Sequence, residues 1–156
     1  MLTLYQLKKN EEAKIIFYSA IKNDKKNFEA YNNLGIIYDE AGNHKKAQKK
    51  FKKAISLNES YSDAYNNLGI IEKKLLNYEL SLYAFEKAFS LDQKNEKIVL
   101  NYSEILIFFN KIKIASLILK KYLDHNPKSY LSYHLLGQLY EKETHFDLAI
   151  KNYKKA

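Results

Sequence analysis

The sequence predicts an all-α fold, a stack of antiparallel helical hairpins, and three observations carry that prediction. The string Ala-Tyr-Asn-Asn-Leu-Gly-Ile-Ile occupies 30–37 and recurs intact at 64–71, an offset of 34 residues. Within that unit apolar residues lie three and four apart, as in Tyr31, Leu34, Gly35 and Tyr38 and then Ala47, Phe51 and Ala54, the period of a helix buried on one side. Only four Gly and one Pro occur in 156 residues, too few for a fold of many tight turns, which need a positive or fixed φ. A sandwich or barrel is therefore excluded.

Stepping by 34 aligns the whole chain without insertion or deletion. One column reads Ala13, Ala47, Ser81, Ala115, Ala149; a second Phe17, Phe51, Phe85, Leu119, Tyr153; a third Ala20, Ala54, Ala88, Tyr122, Ala156; a fourth Gly35, Gly69, Ser103, Gly137. Helices are expected at 11–23, 28–41, 44–57, 62–75, 78–91, 96–109, 112–124, 130–143 and 146–156. The first opens at Asn10 with Glu11 and Glu12 near the positive end of its dipole. Breaks within the hairpins fall at Gly42-Asn43, Asn77, Asn110 and Thr144, the last with Asp147 three residues on as a capping box. Pro127 stops the helix before it by holding Asn126 extended.

Three glycines stand in mid-helix, where Gly costs roughly 0.5–1 kcal/mol relative to Ala. Close approach offsets that cost: the partner helix of the hairpin packs on Gly35, Gly69 and Gly137, with the Ala column as the matching small surface, while Tyr31, Leu34, Tyr38 and Phe51 fill the space between hairpins.

Composition narrows function. With 46% hydrophobic and 28% charged residues the chain is that of an ordinary folded protein. No Cys means no disulfide and no thiolate ligand or nucleophile. The longest apolar run, 105–109, falls far short of the roughly 18 residues a membrane span needs. Residues 1–12 develop no signal-peptide core, so a cytoplasmic location is expected. The net charge of +8 comes from Lys alone, beside abundant Asn, Ile and Tyr, a pattern that A+T-rich codons also produce. Absence of Arg removes the best side chain for bidentate phosphate or guanine recognition and argues against nucleic acid. His44, His125, His134 and His145 never fall at the i, i+4 spacing of a helical metal pair. With no phosphate loop and no nucleophile motif, no metal, cofactor or enzymatic activity is expected.

A 34-residue unit of two helices with these Gly, Ala and aromatic columns resembles the tetratricopeptide repeat family. The resemblance spans residues 1–156 as one array: a partial repeat 1–27, full repeats 28–61, 62–95 and 96–129, and a truncated repeat 130–156. The family's recurrent Pro is met only by Pro127, with Glu59 and Gln93 in the equivalent places. Repeat 96–129 diverges most, at Val99, Tyr102, Ser103 and Tyr122. Because the array begins and ends inside a unit, a fragment of a longer protein is expected, with self-association through the incomplete end repeats as a further expectation.

The resemblance implies a right-handed α-solenoid and a non-catalytic module that binds a peptide segment or helix of a partner protein in a concave groove and scaffolds an assembly. The implied groove comprises Asn32, Asn33, Ile36, Asp39 and Glu40; Asn66, Asn67, Ile70, Lys73 and Lys74; Lys97, Leu100, Asn101, Glu104, Ile107 and Phe108; and Leu131, His134, Leu135, Gln138 and Glu141. Asn33, Asn67 and Asn101 form a ladder whose amides could pair with any peptide backbone, and the ladder is expected to be expendable for folding. Where the family's clamp for acidic C-termini uses Lys and Asn, this chain has Asn32 and Ile36, so apolar anchors are favoured over acidic tails. The alternative is a substrate-recruiting arm of a larger enzyme such as a glycosyltransferase. A lesser reading is a polyanion site, nucleic acid or anionic lipid, on Lys45, Lys46, Lys49, Lys50, Lys52 and Lys53 of helix 44–57, expected on the convex side without aromatic interleaving.

Overall fold

The computed structural model describes residues 4–156, with side chains from residue 8 onward. The first three residues of the expected partial repeat 1–27 lie outside the described residues. Among those described, nine helices and no strands occur: α1 (Leu4–Asn23), α2 (Phe28–Glu40), α3 (His44–Leu57), α4 (Ser62–Lys74), α5 (Tyr78–Leu91), α6 (Glu96–Phe108), α7 (Ile112–His125), α8 (Tyr130–Lys142) and α9 (Phe146–Tyr153). The chain divides within α5 into two compact units, Met1–Ala84 and Phe85–Ala156.

Two expected boundaries change by more than one residue. Helix α1 starts at Leu4, so Asn10 lies inside it and caps nothing; its Nδ2 donates to Glu40 Oε2 at 3.1 Å. Good helix formers precede Asn10, and no Gly or Pro interrupts them. Helix α9 ends at Tyr153 instead of 156. Elsewhere Asn27, Asn43, Asn95 and Ser129 accept a backbone N–H of the following first turn and fix the starts of α2, α3, α6 and α8.

Each hairpin turn is the same Schellman motif. Gly42 N donates to Asp39 O and Asn43 N to Tyr38 O, both at 2.8 Å, and the pair of bonds recurs at Leu76-Asn77, Asn110-Lys111 and Thr144-His145. The residue in the left-handed region is therefore Gly42 (φ 74°), Leu76 (63°), Asn110 (57°) or Thr144 (62°), again 34 apart. This corrects two sequence readings. Leu76, not Asn77, turns the second hairpin, and Thr144 is no helix cap: its hydroxyl donates to Glu143 O, and His145 precedes α9 without a side-chain cap bond. Leu76 is 70% exposed and pays the left-handed cost of roughly 1–2 kcal/mol with little burial in return. Leu76→Gly is expected to stabilise the chain by about 0.5–1 kcal/mol, a rise of about 2 °C in the thermal midpoint, whereas Asn110→Gly changes it by less.

In the first unit the core is Ala47, Phe51, Leu68, Ile71 and Ala84, with Leu34 and Ala54 also fully enclosed. Tyr31 and Tyr38 are only half-buried. The glycine column works as expected in outline, and at Gly35 and Gly137 what it admits is an aromatic ring. A Cβ at Gly35 would lie 2.5 Å from Phe51 Cε1, and one at Gly137 2.6 Å from Tyr153 Cδ1. Where the column holds Ser103, the facing column holds Leu119, which is smaller than Phe or Tyr, so a side chain is tolerated. Ser103 is fully buried and its hydroxyl has no hydrogen-bond partner. Ser81, in the Ala column, is also fully buried, but it donates to Gly69 O at 2.8 Å.

In the second unit Ile98, Ile105, Leu106, Leu119 and Leu139 are almost wholly enclosed, with Leu136 and Ala149 beside them in the buried set.

Candidate peptide-binding faces

The first helices of the hairpins carry the expected recognition residues, α2 and α4 in one unit and α6 and α8 in the other. In the first unit α2 and α4 pack side by side and are tied by bonds that step 35 residues. Asn67 Nδ2 donates to Asn32 Oδ1 at 3.0 Å, and Lys74 Nζ to both Asp39 oxygens at 2.6 and 2.7 Å. His44 Nδ1 meets the same carboxylate at 3.0 Å.

These ties correct the expected groove. Asn32 and Asn66 are 3% and 6% exposed, so they belong to the packing between helices and are not presented to a ligand. A short polar side chain one position away from the open face is drawn inward where a partner amide can satisfy it. Asn67 donates to buried Asn32, so that rung also ties α2 to α4. The open positions are Ile36, at 37% exposure, and Lys73, with Asn33 and Ile70 half-buried beside them. Glu40 is exposed and bonded to Asn10.

In the second unit Lys97, Glu104, His134 and Gln138 are exposed, Leu100, Asn101 and Ile107 are half-buried, and Leu135, expected in the groove, is buried. Phe108 is 57% exposed, its ring edge-on to Phe109 with centroids 5.4 Å apart. Leu131 is 41% exposed. Lys142 Nζ donates to Ile107 O at 3.4 Å, again a step of 35. His134 lies 5.5 Å from the Tyr153 ring, and the Tyr153 hydroxyl donates to Glu141 at 2.7 Å. Burial first, and then that carboxylate, raise the Tyr153 hydroxyl above its ordinary pKa.

The lysines of α3 are less free than their sequence suggests. Lys46 Nζ sits 5.5 Å from the Tyr38 ring centroid, Lys50 Nζ lies 5.2 and 5.4 Å from those of Tyr18 and Tyr31, and Lys52 Nζ is 3.3 Å from Glu72 Oε1. These rings belong to α1 and α2, and they hold the ammonium groups by cation–π attraction. Lys45, Lys49 and Lys53 are exposed. Beneath them the Tyr18 and Tyr38 hydroxyls meet at 2.8 Å; that hydrogen bond, more than burial, pushes Tyr18 up to about 12.

Sequence reasoning missed Glu72. It is 1% exposed, stands where other repeats have Tyr38, Leu106 and Tyr140, and accepts from Gln48 Nε2 and Asn77 Nδ2, each at 2.8 Å, besides facing Lys52. The signal was present as a carboxylate in an apolar column. Among the described residues no group of three His, Asp or Glu is placed to hold a metal, and no helix is long and apolar enough to cross a membrane. The open faces present amides, lysines, carboxylates and apolar side chains, a set that can bind a polypeptide by contact.

Family profiles described as tetratricopeptide repeat match residues 28–61, 62–95 and 130–156. Among curated proteins none matches. Among solved structures, MamA is 21% identical with a TM-score of 0.81, covering 99% of this chain and 93% of its own. YrrB, whose structure is described as that of a protein with an unusual peptide-binding site, is 21% identical with a TM-score of 0.77, covering 89% and 72%. PilF of Pseudomonas aeruginosa is 20% identical with a TM-score of 0.84, covering 97% and 69%.

Proposed function

The chain belongs to the tetratricopeptide repeat family, and from that premise we propose that it is a non-catalytic module that binds a peptide segment or helix of a partner protein and scaffolds an assembly. The observation that carries this reading is the pairing of exposed or half-buried apolar side chains with polar ones on the first helices: Ile36 and Ile70 near Asn33 and Lys73 in one unit, Leu100 and Phe108 near Asn101, Lys97 and Glu104 in the other. An apolar anchor supplies affinity and the polar groups fix its register, which is how helix faces capture extended or helical peptides. YrrB, described by its peptide-binding site, has the same fold and supports the reading by analogy alone.

The test is capture of partners on the immobilised chain, identification by mass spectrometry, and titration of the recovered peptide. Phe108→Asp and Ile36→Asp are each expected to weaken it by about thirtyfold or more, the loss typical of a central anchor, with the thermal midpoint nearly unchanged for the more exposed Phe108 and lowered by about 2–4 °C for Ile36. Lys45→Gln with Lys49→Gln serves as control and leaves affinity within about twofold. A reversed pattern, in which the lysine changes abolish binding and the apolar ones do not, would transfer the reading to the polyanion site.

A further inference from the structure

A cleft of about 490 Å³ opens in the second unit, away from the faces just described. Phe89 of α5, Val99 of α6, and Ile118 and Tyr122 of α7 form its apolar wall. Three departures from the repeat surround it. Val99, fully enclosed, stands where Tyr31, Tyr65 and Tyr133 stand and carries no phenol ring. Tyr122 replaces the recurrent Ala20, Ala54 and Ala88 and walls the side of that space. His125 replaces Leu57 and Leu91 and brings an imidazole to the rim. A volume of this size lies in the range of small-ligand sites, which are apolar with a few convergent polar groups.

The charged side chains of the lining are of one sign. Lys94 and Lys121 line the cleft beside His125 and the neutral amides Gln93 and Asn126, and its lining contains no carboxylate. Nearby acids are engaged elsewhere: Asp92 accepts the backbone N–H groups of Lys94 and Asn95, and Glu96 accepts from the Ser129 hydroxyl. His125 Nδ1 meets Lys121 O at 3.2 Å, which directs its hydrogen there and orients the ring.

We propose that this cleft binds a ligand with an apolar body and one terminal carboxylate, the body against Phe89, Ile118 and Tyr122 and the carboxylate toward Lys94 and Lys121. A free medium-chain monocarboxylic acid and the C-terminal apolar residue of a peptide share this chemistry. The site is independent of the peptide faces on α6 and α8 and stands or falls apart from them.

Calorimetric titration of the full chain uses octanoate, octanol, and a short peptide ending in leucine with a free or an amidated C-terminus. At least one of the two carboxylates is expected to bind, and its neutral counterpart about tenfold more weakly or not at all. Octanoate binding alone assigns a free acid; peptide binding alone assigns a chain terminus; either supports the site. Val99→Tyr, which restores the ring other repeats carry, abolishes binding. Lys94→Gln with Lys121→Gln, both exposed positions that leave folding intact, weakens it about tenfold and serves if Val99→Tyr does not fold. Binding by neither carboxylate, equal binding of octanol and octanoate, or undiminished binding by the folded Val99→Tyr variant or by the lysine pair variant overturns the proposal.

Discussion

Gly35→Leu is expected to destabilise the first unit by about 2–3 kcal/mol, although Leu is the better helix former. The first atom added at residue 35 would lie 2.5, 2.7 and 2.8 Å from Phe51 Cε1, Cδ1 and Cζ, inside any allowed separation. The ring cannot retreat, because Phe51 is 1% exposed and packed among Ala47, Leu68, Ile71 and Ala84. Phe51→Ala alone is expected to cost about 3–5 kcal/mol by leaving a cavity. Together the two changes complement each other: the leucine fills the space the ring vacates, and the double variant recovers about 1–3 kcal/mol relative to the sum of the singles. Chemical denaturation of the four proteins measures the cycle, and strict additivity would mean that residues 35 and 51 do not touch. At Gly137 the facing Tyr153 is half-buried at the end of α9 and can swing outward, so Gly137→Leu is expected to cost about 1 kcal/mol.

Lys52→Met is expected to cost about 2–3 kcal/mol, while Glu72→Leu changes stability by less than about 1 kcal/mol. The asymmetry follows from burial. Glu72 is enclosed, so removing its cation leaves a carboxylate held only by the Gln48 and Asn77 amides. Lys52, about half exposed, can turn to water when Glu72 is removed, and that exposure holds the expected loss below the 3–5 kcal/mol of a fully buried pair. Leucine is what repeat 96–129 carries at the equivalent Leu106, which shows that the position accepts it. Adding Lys52→Met to Glu72→Leu should then cost almost nothing. Denaturant midpoints decide the matter: equal losses for the two single changes would mean that the pair contributes by attraction and not by relieving a buried charge.

Most of the fold was legible. Two helices per 34 residues, the middle helices to within a residue or two and the tight Gly approach all follow from the spacing of Leu34, Gly35, Ala47 and Phe51 and its recurrence, because a helix exposes its pattern at every third and fourth residue. Helix ends were less legible. Asn10 looked like a cap because Asn and two acids open many helices, but a capping residue caps only where the preceding residues leave the helix, and these do not. The turn positions were legible as breaks at Gly42 and Asn110, where composition signals them, read as a cap at Thr144, and missed at Leu76, where the hairpin's closure imposes φ 63° on a residue that disfavours it.

By itself the sequence determined that this protein is an all-α repeat array without the residue patterns of catalysis, because periodicity and composition are properties of the chain. Only the tertiary structure decided which polar groups face outward. Asn32 and Asn33 are neighbours of identical chemistry, yet Asn32 is enclosed against Asn67 while Asn33 stays half open, since a helix turns each residue about 100° from the last and only the packed partner says which direction is inside. The same reason separates Lys52, bound to an enclosed carboxylate from another helix, from exposed Lys53 beside it. It also explains why the cleft was not legible: Val99 and Tyr122 are written in the sequence, but the volume exists only where three helices surround it.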